Sequence, residues 1–412
     1  MIIDFSLEIS QVVWGLLGLL VVFAIIGATL GLRHMRAVAR AGRRVEEPLE
    51  EPLEDTPEEK AEAQEAQDEV PGLSVIVYAR NAEDNIAGFL RQLLDQDHPD
   101  FEVIVVNDAS IDNTAEIVDN MLAEDPRLYL TFVSDSAINI SRRKLAYTLG
   151  MRAAKKPVAL LTAANVEIPS RSWLRRMAAP FADPQVDMAV GALYMPVASD
   201  KGLGRYWRSF DSQVTDTRWV GAALLGSPYR GVRENLAVRV QAFFDNGGFT
   251  STNRFQGGED DIFVGEIAGR GEVATVFTPQ ATPTLVIPED EYPRLWVRNK
   301  EHYTFTGRYL HTGAFRTQGV LSLCNWVVLL SAIAAGLLGW PNLLPACLAL
   351  FGLLLYWGYQ ICVYRRSARA MRTIRLFWAV PLFWLIRPLA TASYNTSFHS
   401  NRYSQYTWQQ PR

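Results

Sequence analysis

Cysteine is nearly absent from this 412-residue chain: Cys324, Cys347 and Cys362 are the only three, all in the apolar C-terminal third. No CxxC pair or Cys/His cluster occurs, which excludes a disulfide framework and a zinc site, and the five scattered histidines argue against a His-based metal centre. Internal repeats are missing. So is any excess of positive charge, since the formal net charge is −4, which argues against a nucleic-acid partner. That average hides a partition. Residues 46–69 carry 12 acids against one base, Lys60, and the rest of the chain holds 39 basic and 32 acidic residues. The body is therefore mildly basic, which suits an anionic small molecule or a lipid surface.

Charge is lacking altogether from two long stretches, 12–32 and 317–364, of 21 and 48 residues. The first is as long as one bilayer core is thick, roughly 30 Å at about 1.5 Å per residue. The second has the length of two spans, with Trp340-Pro341-Asn342 marking the turn. Arg33, Arg36, Arg40, Arg43 and Arg44 follow the first stretch, and Arg365, Arg366, Arg369, Arg372 and Arg375 the second. The positive-inside rule then predicts an outside N-terminus and a cytoplasmic region between the two stretches. The uncharged segment 376–386 is too short to span and is expected to lie at the interface or re-enter the membrane, with a fourth span as the alternative. Residues 45–70 read as a flexible acidic tether. The expected organisation is a transmembrane anchor (1–33), a basic then acidic linker (34–70), a cytoplasmic domain (71–316), a transmembrane hairpin (317–364) and a basic tail (365–412).

Within the central region, apolar β-branched runs at 73–78, 101–106, 128–133 and 157–161 alternate with helical periodicity at 82–94, 112–122 and 141–154. This alternation predicts an α/β fold with a mostly parallel, helix-flanked sheet. Ligands of such sheets sit beyond the carboxyl ends of the strands. The residues to watch are therefore Ala79, Arg80, Asn81, Asn107, Asp108 and the stretch from Thr162 to Glu167.

Ser74-Val-Ile-Val-Tyr-Ala-Arg-Asn81, followed by Val105-Val-Asn-Asp-Ala-Ser-Ile-Asp-Asn-Thr114, resembles the opening of the family 2 glycosyltransferases with their GT-A fold. The second stretch matches V-V-x-D-x-S-x-D-x-T at every fixed position. The resemblance continues through Arg143-Lys144, Gly247-Gly248-Phe249 and Gly258-Glu259-Asp260-Asp261, covers about 230 residues, and fits a membrane-anchored bacterial branch. It implies an inverting, hexosyltransferase-type enzyme of the bacterial inner membrane, with its catalytic domain in the cytoplasm. The implied donor is a nucleotide-diphosphate sugar, a UDP-sugar first, and the acceptor a glycan or lipid-linked molecule. Asp260 is then the expected general base, with Glu259 beside it and Asp261 as rival. Ala79, Arg80, Glu83, Asp108, Arg143, Lys144 and Asn165 are expected around the nucleotide sugar. Ser110 and Asp112 are expected to build the turn and cap the next helix.

Three places depart from the family pattern. The Asp-x-Asp expected after the fourth strand reads Leu161-Thr-Ala-Ala-Asn-Val-Glu167, without either aspartate. A Mg²⁺ or Mn²⁺ ion is then bound weakly or lost, with Asn165 and Glu167 as candidate ligands, and Arg142, Arg143 or Lys144 left to neutralise the diphosphate. The Q-x-x-R-W signature of processive relatives falls at 299–303, where Asn299, His302 and Tyr303 keep only its amide and aromatic character on the acceptor side. At 231–235 relatives carry a second glycine and an arginine, and Glu234 adds negative charge. These departures leave a second expectation open: a non-catalytic glycosyltransferase-like subunit of a polysaccharide-assembly complex.

Overall fold

The computed structural model describes residues 9–46, 70–134, 137, 140–195, 202–288, 291–310 and 319–401. Of the tether expected at 45–70, residues 45–46 end the helix Arg33–Glu46, and 47–69 lie outside the described residues. The chain divides into two compact units. One is formed from Met1–Gly42, Lys201–Gly221 and Thr312–Ser397, the other from Arg43–Asp200, Ala222–His311 and Phe398–Arg412.

The second unit is the α/β domain. Its seven-stranded sheet contains β1 (Leu73–Ala79), β2 (Phe101–Asn107), β3 (Leu128–Phe132), β4 (Val158–Ala163), β6 (Val186–Gly191), β7 (Leu236–Arg239) and β8 (Glu272–Val276). They run in the order β3-β2-β1-β4-β7-β6-β8, and β5 (Val166–Glu167) pairs separately with β9 (Thr284–Leu285). All pairings in the large sheet are parallel except those of β7 with β4 and β6. The expected mostly parallel sheet is thus present. Val75, Ile76, Val77, Val103, Ile104, Val105, Leu160 and Leu161 have no exposed surface, because helices cover both faces of such a sheet.

The covering helices include α3 (Ile86–Leu94), α4 (Thr114–Leu122) and α5 (Arg142–Ala153). Helix α3 buries Ile86, Phe89, Leu90 and Leu93 on one face, the periodicity read from the sequence. Gly150 of α5 packs so near β1 that a Cβ there would lie 2.3 Å from Ile76. The register aligns Ala79 with Asn107 and Tyr78 with Ala163, so the carboxyl ends of β1, β2 and β4 finish side by side. The loops leaving them include Asn81 and Ala109, both at φ +47°, a left-handed conformation that L side chains rarely adopt.

In the first unit, Gln11–Gly31, Val320–Leu338 and Leu344–Ala370 are long and apolar enough to cross a membrane. Val13, Leu17, Leu20, Val328, Ala332, Ala335, Leu353 and Tyr356 form their shared core. Leu330, Leu337, Leu350, Phe351 and Leu354 stand exposed on their outer faces, as a lipid-facing surface requires. Most of the helix Gly204–Leu224 groups with this unit. Phe210 and Val214 of that helix pack with Tyr364, Val380 and Trp384. The segment expected at 376–386 opens a longer helix, Ala379–Asn401. Pro381 falls in its first turn, where a missing N–H costs nothing, and the buried Arg387 donates from Nε to Asp211 Oδ1 at 2.8 Å.

Candidate active site

A cleft of about 620 Å³ opens at the carboxyl ends of β1 and β4. On the β1 side it is lined by Tyr78, Arg80, Asn81, Ala82 and Asn85, and on the β4 side by Ala163, Ala164 and Asn165. The opposite wall is made by Arg143, the loop Val232-Arg233-Glu234, Gly257, Glu259 and Asp260. Arg298, Asn299, His302 and Tyr303 close it from α10, the helix Tyr292–Thr306.

Asp260 is the N-cap of the helix Asp261–Ala268, which we label α9. Its Oδ1 accepts from the Asp261 N–H at 2.9 Å and faces His302 Nε2 at 3.1 Å, while Oδ2 accepts from Arg233 Nη1 at 3.0 Å. Burial opposes ionisation, but His302 and Arg233 outweigh it and hold this carboxyl well below the ordinary range. Asp261 lies deeper, with no exposed surface. It accepts from the Ile262 N–H at 2.8 Å and from the Thr306 hydroxyl, with Arg230 Nε 3.7 Å away. Burial, reinforced by Asp260, pushes its carboxyl upward. His302 lies between the two acids, 3.6 Å from Asp261 Oδ2. Burial alone would lower its pKa; the two carboxylates raise it instead, so the ring favours the imidazolium form. A Cβ on Gly257 would lie 2.7 Å from His302 Nδ1, which explains a glycine at that contact.

Glu259 completes the acidic wall. It is 2% exposed, and its Oε1 lies 3.7 Å from Arg233 Nη1 and 4.0 Å from Arg143 Nη1. Its Oε2 is buried without a hydrogen-bond partner. Arg143, in the first turn of α5, also stacks its guanidinium 4.7 Å above the Tyr78 ring.

The other expected residues lie in different places. Asp108 is fully buried; it accepts from the Tyr78 hydroxyl at 2.5 Å and from Arg142 Nε at 2.6 Å, with Arg80 3.5 Å away. It braces the cleft wall from behind, and Arg142 is spent on it. Lys144 points away from the cleft: its ammonium donates to the carbonyls of Thr252 at 2.6 Å and Phe255 at 3.1 Å. Burial lowers its pKa to about 8. Glu83 accepts from the backbone and side-chain N–H groups of Asn113, both at 3.0 Å, outside the cleft lining. Asp112 stands one residue before the N-cap Asn113 and accepts from the N–H groups of Thr114 and Glu83, both at 3.1 Å. Ala79 ends β1 with its carbonyl bonded to the Asp108 N–H at 2.8 Å. Glu167 is exposed on β5, whose strand pairing sets it opposite Thr284. Asn299, His302, Tyr303 and Asn165 do line the cleft.

Arg233 and Tyr78 complete the site. Arg233 lies in the departing segment 231–235, just before β7, and Tyr78 is the inward residue next to the end of β1. Strand-end position was the available signal for Tyr78, whereas Arg233 precedes its strand and carried none.

The donors do not fit a divalent cation at the family's usual place, since Ala163, Ala164 and Asn165 supply no carboxylate. Asp260, Asp261 and His302 do gather ligand atoms within 4.8 Å of one another. Arg233, Thr306 and the backbone N–H groups of Asp261 and Ile262 bond these same carboxylates.

Residues 74–254 match the family model described as Glycosyl transferase family 2. A Bacillus subtilis (strain 168) protein named "Putative teichuronic acid biosynthesis glycosyltransferase TuaG" is 35% identical over 75 residues, which are 18% of this chain and 30% of that protein. Among solved structures, the mannosyltransferase PcManGT from Pyrobaculum calidifontis, in complex with GDP-Man and Mn²⁺, aligns with 85% of this chain and 97% of its own at 22% identity and a TM-score of 0.49. Staphylococcus aureus TarS 1-349 in complex with UDP-GlcNAc aligns with 81% and 93% at 18% identity and a TM-score of 0.41.

Proposed function

Since residues 74–254 match the glycosyltransferase family 2 model, we propose that this chain transfers a sugar from a nucleotide-diphosphate donor to a glycan or lipid-linked acceptor. The observation that carries this reading is the convergence, in one 620 Å³ cleft at the strand ends, of an ionised Asp260 with the guanidinium groups of Arg143 and Arg233.

The nucleoside lies over Tyr78, Arg80, Asn81 and Asn85, beyond the end of β1. The acceptor hydroxyl approaches from the α10 side, past Asn299 and Tyr303. Asp260 Oδ2 holds one bond, from Arg233, and so keeps a lone pair for the incoming proton. The acceptor oxygen forms a bond to the anomeric carbon as the bond from that carbon to the diphosphate oxygen breaks. The hydroxyl proton passes to Asp260, and the nucleoside diphosphate leaves with the bonding pair. Attack opposite the leaving group inverts the anomeric centre. The apolar helices anchor the chain in the bacterial inner membrane, with the cleft facing the cytoplasm where nucleotide sugars are made.

One observation favours a second reading, a non-catalytic subunit of a polysaccharide-assembly complex: the strand end that carries acids in relatives reads Ala163-Ala164-Asn165 here. Incubating the purified full chain with a panel of UDP- and GDP-sugars separates the two. Release of nucleoside diphosphate, accelerated by membrane lipid extract, supports transfer. Binding without turnover over the whole panel supports the subunit reading.

A further inference from the structure

The family pattern places an Asp-x-Asp at the end of β4, its first acid near the donor sugar and its second on the metal that bridges the diphosphate, and this chain has neither acid at that strand end. We propose that Arg143 and Arg233 form a two-arginine clamp that takes the diphosphate in place of a divalent cation; this rests on the nucleotide-sugar reading of the cleft. Both guanidiniums reach the cleft and converge on one atom, Glu259 Oε1, at 4.0 and 3.7 Å. Glu259 therefore acts as a bridge that spaces the two cations, and a diphosphate has the length to lie across both. Each fork keeps further N–H donors for phosphate oxygens, in the planar geometry that suits bidentate recognition.

Of the neighbouring cations, Arg80 pairs with Asp108 at 3.5 Å and Arg298 with Glu291 at 3.6 Å. Arg142 is bonded to Asp108 and Lys144 to two carbonyls. Arg143 is also held rigidly by its stack on Tyr78, which lowers the entropy lost on binding. The acid cluster of Asp260, Asp261 and His302 is bonded to Arg233, Thr306 and backbone N–H groups.

The test is calorimetric binding of UDP, UMP, GDP and GMP to the full chain in detergent, in excess EDTA and in excess Mn²⁺. The clamp predicts that one diphosphate binds about tenfold or more tightly than its monophosphate in EDTA, and that Mn²⁺ changes this little. Arg143→Gln weakens the diphosphate by about tenfold or more and leaves the monophosphate unchanged. Arg143→Lys recovers part of the loss. Arg233→Gln removes the partner of buried acids and risks misfolding, so Arg233→Lys, which keeps the charge and loses the fork, is the companion variant. It is expected to show the same diphosphate-selective loss. Binding that needs Mn²⁺ overturns the clamp while leaving the nucleotide-sugar reading intact. Equal loss for mono- and diphosphate in Arg143→Gln also overturns it. Failure of all four nucleotides to bind overturns both.

Discussion

Replacing His302 by glutamine removes a buried positive charge from between two carboxylates, and the consequence can be worked from the geometry. The ring nitrogen lies 3.1 Å from Asp260 and 3.6 Å from Asp261. At an effective dielectric of about 20, a charge pair near 4 Å is worth roughly 4 kcal/mol, and removing one partner of a buried ion pair costs about 3–5 kcal/mol. Glutamine keeps an N–H donor for Asp260, which places the loss near the lower end, about 3 kcal/mol. For a domain of this size that corresponds to a fall in Tm of roughly 6–12 °C. The sign with pH follows from the raised pKa of His302. Its contribution is complete below the ordinary histidine value of about 6.5 and is lost as pH rises through the higher folded value. The difference in Tm between wild type and His302→Gln is therefore largest in mild acid and narrows in alkali. Arg233, whose pKa is raised by Glu234, Asp260 and Glu259, stays charged throughout and does not create this dependence. Asp260, held low, contributes above its ordinary range and loses its contribution only in strong acid. Thermal unfolding of both proteins in one detergent, from mild acid to mild alkali, makes the comparison. Equal Tm values across that range, or a gap that widens with rising pH, would refute the charge assignment.

Asn235→Ala tests the support under the cleft. The fully buried Asn235 accepts from Trp173 Nε1 at 3.0 Å and donates to the carbonyls of Ala192 and Ala281, both at 2.8 Å. Its loss orphans three groups and is expected to cost about 3–5 kcal/mol, read by chemical denaturation; wild-type stability would contradict it. The double change Ala163→Asp with Asn165→Asp supplies hard oxygen ligands at the strand end and should make diphosphate binding respond to Mn²⁺ in titration calorimetry. An unchanged response would show that this strand end does not adjoin the diphosphate. Arg171, whose side chain is 74% exposed on the α/β domain, tests topology when changed to cysteine. A membrane-impermeant maleimide added outside intact cells should leave that cysteine unlabelled, and efficient labelling would place the domain outside the cytoplasm.

The sheet was legible because parallel strands buried on both faces read as unbroken β-branched runs, as at Val75-Ile76-Val77 and Val103 to Val106. The apolar helices were legible for the same reason of simple composition. Boundaries slipped where turns imitate helical spacing: the helix expected from 82 begins at Ile86. The site was harder to read. Arg143 and Lys144 are adjacent in a basic run, yet one helical step of about 100° turns the first to the cleft and the second to the carbonyls of Thr252 and Phe255. Asp108 follows a strand as a ligand-binding acid should, but its partners Tyr78 and Arg142 come from 30 residues upstream and 34 downstream, and only the parallel register brings them together. Arg233 was hidden because its role depends on three acids, Glu234, Glu259 and Asp260, which meet only in the folded loop.

The central claim is that Asp260 takes the acceptor proton in a cleft that binds the donor independently of it. The most direct measurement is single-turnover sugar transfer by wild type and Asp260→Asn, with donor affinity determined in parallel on the same preparations. The expected result is a fall in transfer of about 10²–10⁴-fold with donor affinity changed little. Near wild-type transfer by Asp260→Asn would contradict the account and move the base to Asp261 or Glu259.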